Sequence, residues 1–202
     1  METKRVPTFR HGRHFGAGLF MLAIMVIGIQ IKIVNGAGAA HSSASRPALL
    51  REEDNLEVEW KQIVGIIQPG NTVGSGTGLV TGGGQPWTTT GGSAEVNLAS
   101  GRLQFQVQGL VLAGGNAIGT PGPVTMVKGT LVCDTTGATT GNSTLVDTPL
   151  VPLSAKGNAR FKGDLGPLPL ACINGPNLAF LIRTAGGAWI ANGAVRVSGD
   201  HD

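Results

Sequence analysis

Hydrolysis by a serine or cysteine nucleophile needs a base beside it, most often histidine. Beyond residue 40 the chain has only His41 and His201, both in terminal stretches. No Gly-x-Ser-x-Gly elbow occurs. Gly74, Gly76 and Gly78 have the wrong spacing for a dinucleotide fingerprint, and no Gly-Lys-Ser/Thr makes them a phosphate loop. Paired carboxylates are the remaining route to catalysis, of the kind used on glycosides. The candidates are Glu95, Asp134, Asp147 and Asp164. Glu95 belongs to the outward side of a predicted strand. The three aspartates stand at loop edges, where aspartate favours turns, and that structural reading outweighs the catalytic one. Asp134 and Asp147 are also candidate calcium ligands, but no Asp-x-Asp-x-Asp-Gly loop accompanies them. No cofactor motif is present.

Cys133 and Cys172 are the only cysteines. A metal or redox role would want a histidine partner or a Cys-x-x-Cys spacing, and neither exists. Each cysteine ends or follows a predicted strand, so a structural disulfide is expected, provided the compartment is oxidising. Trp60, Trp87 and Trp189 are the large aromatics. Trp87 follows Pro86 in a glycine-rich stretch and is the candidate binding surface, able to stack on a sugar or a partner. Partial burial in the core is the more common state of a tryptophan in a small β-domain and outweighs that reading for any of the three.

The compartment is indicated by the first 40 residues. Met1 to Arg13 is polar and basic, Phe15 to Ile31 is apolar, and Asn35 to Ala40 is small. Those regions, in that order, are the parts of a secretory signal. Ala37 and Ala39 suit cleavage before Ala40; Gly38 and Ala40 suit cleavage before His41. The competing reading is an uncleaved anchor, because the apolar run approaches the ~20 residues that span a bilayer. The net charge of +3 also belongs to this leader. Without residues 1–40 the chain has ten basic and eleven acidic residues, a balance of −1. Such a charge argues against nucleic-acid binding, which needs a concentrated positive face.

Residues 41–55 read as a polar linker, and 56–202 as one domain. Helical periodicity is absent there. Ala94–Leu98 and Leu103–Gln108 alternate apolar and polar across a short loop with Gly101, the pattern of a hairpin. Further strands are predicted near 57–68, 124–133, 144–150, 158–165, 177–183 and 188–197. Prolines 121, 123, 149, 152, 167 and 169 mark strand ends or edges. The expected fold is all-β: an antiparallel β-sandwich of about eight strands after an N-terminal hydrophobic signal helix. The 69–92 stretch reads as a long flexible loop with a weak strand at 79–81, and 134–143 as a second exposed loop. Asn142-Ser143-Thr144 is a formal glycosylation sequon.

From Pro86 onward, over about 110 residues, the chain resembles small exported bacterial β-domain proteins of unknown function. The shared elements are Pro86-Trp87, Gly92-Ser93-Ala94, Gly101-Arg102-Leu103, Val107-x-Gly109-Leu110-Val111, Cys133, Leu168-Pro169-x-x-Cys172 and Gly187-Ala188-Trp189. The resemblance implies a bacterial domain with paired cysteines and brings no catalytic residues. The Gly92-x-Ala94-x-Val96 and Gly101-x-Leu103-x-Phe105-x-Val107 hairpin is similar to that of CHRD domains, but the internal histidine often seen in those domains is missing.

The expectation is an exported, non-catalytic envelope or extracellular module that is structural or binds a protein or carbohydrate partner. The alternatives are a secreted carboxylate-dependent hydrolase and a domain anchored to a membrane through its N-terminal segment alone.

Overall fold

The computed structural model describes residues 56–174 and 177–198. The signal segment with its Ala37, Ala39 and Ala40 cleavage positions, and the 41–55 linker, lie outside the described residues.

Thirteen strands occur among the described residues: β1 (Glu57–Gly65), β2 (Thr72–Val73), β3 (Val80–Thr81), β4 (Trp87–Thr88), β5 (Gly91–Asn97), β6 (Arg102–Gln108), β7 (Val111–Leu112), β8 (Met126–Cys133), β9 (Thr144–Asp147), β10 (Val151–Pro152), β11 (Ala159–Asp164), β12 (Leu178–Thr184) and β13 (Trp189–Ser198). A short helix, α1 (Leu170–Ile173), precedes β12. Nine strands form one antiparallel sheet in the order β10-β8-β12-β13-β1-β5-β6-β11, with β9 also paired to β8. The pairs β2–β3 and β4–β7 are small separate ribbons.

The predicted strands are all present. The expected two-sheet sandwich is not: its strands belong to a single sheet that curls around one core. Phe180 on β12 packs against Trp60 on β1 at 5.7 Å and Phe105 on β6 at 5.6 Å between ring centroids. Four strand steps separate β12 from β6 in the sheet order, so those rings meet only because the sheet bends back on itself. Inward glycines make the space. A Cβ at Gly129 on β8 would lie 2.9 Å from the Phe105 ring, and one at Gly193 on β13 would lie 2.5 Å from Trp60. A register shift between Ile182 and Arg183 adds to the bend. Period-two alternation is identical for two facing sheets and one curled sheet, so the pattern could not separate them.

One edge of β8 is shared by β9, opposite residues 130–133, and β10, opposite 126–127. Between them Thr148 keeps the line, donating its amide to the Gly129 carbonyl and accepting the Gly129 amide on Oγ1. Pro149 interrupts the strand there and Pro152 lies on the outer line, where a missing amide costs no ladder bond.

The 69–92 stretch is an ordered excursion, which corrects its reading as a flexible loop. The Gly82 amide bonds the Asn71 carbonyl, the Gly83 amide bonds the Trp189 carbonyl, and the Trp189 indole donates to the Asn71 carbonyl at 2.9 Å. It also interlocks with the 134–143 loop. The Ser75 amide donates to Ser143 Oγ at 2.8 Å, and the Thr77 amide to Asn142 Oδ1 at 2.9 Å. A Cβ at Gly78 would fall 2.0 Å from the Ser143 carbonyl oxygen, so glycine is what permits the approach. Composition suggests mobility here; close backbone packing is the other use of glycine.

Candidate functional site

Trp87 is 95% buried, which overturns its reading as an exposed stacking surface. It pairs with Leu112 across the β4–β7 ribbon, and its amide bonds the Ile66 carbonyl. Trp60 and Trp189 are buried as well. A large aromatic beside glycines supplies core volume in a domain with few other rings.

Cys133 and Cys172 form a disulfide, both fully buried. Among the described residues no group of three or more His, Cys, Asp or Glu is placed to hold a metal ion.

The four candidate carboxylates are dispersed. Asp134, in the left-handed conformation after β8 (φ +53°), accepts the amides of Ala138 and Thr139 at 2.9 Å each. The Thr139 amide is the main cause of a carboxyl held below its usual range; burial opposes it and the Ala138 amide reinforces it. Asp134 therefore shapes its loop. Asp147 on β9 accepts from Lys128, from Thr130 Oγ1 at 2.6 Å and from Arg183 Nη1 at 3.2 Å. Burial alone would raise this carboxyl, but those hydrogen bonds and the two cations outweigh it and lower it. The cluster joins β9, β8 and β12. Asp164 accepts the Gly166 amide at 2.7 Å and forms a turn.

Glu95 is differently placed. On the outer face of the sheet it lies opposite Glu59 on β1 and opposite Gln104 on β6, which in turn lies opposite Lys162 on β11. The next row is Ser93, Gln106 and Arg160. Gln104 Nε2 donates to Glu95 Oε2 at 2.6 Å. The side chains of Glu59, Arg160 and Lys162 make no hydrogen bond or ion pair among the described residues. The rows line a hollow of about 260 Å³. A second hollow of about 500 Å³ adjoins it, sharing Gln106 and Arg160 and continuing past Gln108 to Val151 and Pro152. Sequence reasoning singled out Glu95 but missed Glu59, Arg160 and Lys162. The available signal was charge at alternate strand positions: Glu57-x-Glu59, and Arg160-x-Lys162.

The two glutamates stand side by side on neighbouring strands. The trough presents hydrogen-bonding side chains and charged groups of both signs on neighbouring strands.

No family model, curated protein or solved structure matches this chain.

Proposed function

We propose that the chain is an exported, non-catalytic binding module whose ligand-contact surface is the polar trough on the outer face of β1, β5, β6 and β11. The observation that carries this reading is the contrast between its charges and the others. Asp134 and Asp147 are committed to internal partners, whereas Glu59, Arg160 and Lys162 line a hollow and have no side-chain hydrogen bond or ion pair among the described residues. Like charges directly opposite, as Glu59 and Glu95 are, disfavour the sheet by some tenths of a kcal/mol, and a ligand cation would relieve that. The disulfide fits an oxidising compartment, and the three-part leader fits export.

Two measurements test the reading. Expressed with its leader, the protein is expected outside the cytoplasm with an N-terminus at Ala40 or His41. Mass spectrometry finding Met1 intact on a membrane-bound product would replace cleavage by anchoring of the same domain. For binding, arrays of peptides and of oligosaccharides are probed with the full-length chain and with a Glu59→Gln/Arg160→Gln/Lys162→Gln variant. Binding by the parent that the variant loses supports the trough. Equal binding by both, or none by either, rejects it.

A further inference from the structure

Resting on that reading, we infer that the trough takes an extended peptide laid along β6, with a neighbouring basic and acidic residue at one end and an apolar residue at the other. Gln104, Gln106 and Gln108 project from alternate positions of β6 on its outer face. Alternate strand residues repeat every ~7 Å, which is also the repeat of main-chain amides along one side of an extended peptide. A glutamine amide both donates and accepts, so a row of them matches a row of peptide groups. Gln106 and Gln108 are exposed, and Gln106 makes only a 3.5 Å contact with Ser93 Oγ.

Charge sets the order of side chains. Glu95 and Glu59 stand on the β5 side of the first row, and Lys162 on the β11 side, followed by Arg160 in the second row. Successive residues of an extended chain point to opposite sides. A Lys-Asp pair therefore sends its cation toward the glutamates and its anion toward Lys162 and Arg160. From Gln104 to Gln108 the trough runs about 14 Å, or four residues. Beside Gln106 and Gln108 the hollow is bordered, across β11, by Val151 and Pro152, an apolar side for the residue at that end. An oligosaccharide matches less well: all three tryptophans are buried, so the trough presents no indole face on which a sugar ring could stack.

Fluorescence anisotropy with the full-length chain tests this. The probe is a labelled nonapeptide, Gly-Gly-Lys-Asp-Thr-Thr-Thr-Leu-Gly. Its control carries Gln in place of Lys and Asp, and chitotetraose is the competitor. The charged peptide is expected to bind roughly tenfold more tightly than the control, within the reach of two exposed ion pairs. In Arg160→Glu/Lys162→Glu that preference should disappear, and a peptide with Lys in place of Asp should now bind better. If the double reversal loses its cooperative melting transition, Arg160→Gln/Lys162→Gln replaces it, with affinity expected to fall to that of the control. Equal affinity for charged and neutral peptides overturns the inference. So does displacement by chitotetraose with no peptide preference, which leaves the binding-module reading standing. Absence of binding to both ligand arrays overturns that reading too.

Discussion

Cys172 is bonded to Cys133 where the chain crosses from β11, at one end of the sheet order, to β12, near the other. Cys133 ends β8 and Cys172 lies in α1, with Leu168 buried just before it. The bond thus secures the crossover between two sides of the curled sheet. For a sequence separation of 39, the chain-entropy model gives it roughly 4 kcal/mol. Cys133→Ala/Cys172→Ala is expected to lower the urea midpoint by a large fraction of the whole. Native protein should take up no alkyl group without reductant, and addition of two groups would disprove the pairing.

Phe180 contacts the rings that show the sheet has curled, and Gly129 leaves room for them. Phe180→Ala should cost about 3–5 kcal/mol. Gly129→Val should cost about 1–3 kcal/mol by overpacking. Denaturant titration measures both. An unchanged midpoint for Gly129→Val would contradict ring contact across the interior.

Ser143 holds the two glycine-rich segments together, accepting from the Ser75 amide and donating to the Asp134 carbonyl. Ser143→Ala should destabilise by about 1–3 kcal/mol, because buried groups lose their partner. Limited proteolysis should then cut within 70–84, where the parent resists. Equal resistance of parent and variant would argue against the interlock.

Asp147 makes the domain acid-sensitive. Its folded pKa is lowered, so its stabilisation is present above the usual carboxylate value near 3.8 and is lost as pH falls below it. Asp147→Asn should cost roughly 1 kcal/mol or less at neutral pH, since the group is partly exposed and screened. The difference between parent and variant should shrink below pH 4 and in high salt. A difference independent of pH would remove the ion-pair explanation.

The core strands were legible because alternation reports burial on one face: Leu103, Phe105 and Val107 turn inward and Gln104 and Gln106 outward, as the bare pattern requires. Boundaries followed from glycine and proline, with Pro149 ending β9's line. The candidate site was legible only in Glu95. Its companions Glu59, Arg160 and Lys162 lie 36, 65 and 67 residues away in the chain, and no local pattern reports which strands become neighbours.

The amino-acid sequence by itself determined an all-β domain with two cysteines, little charge and no internal histidine. Those properties depend on residue type and short spacing. Tertiary structure decided that the strands form one curled sheet, that Trp87 is buried, and that two glycine-rich segments are locked together. It also placed two glutamates and two cations around one trough. Each depends on long-range strand register, which sets the faces that meet and appears only once the sheet closes on its core.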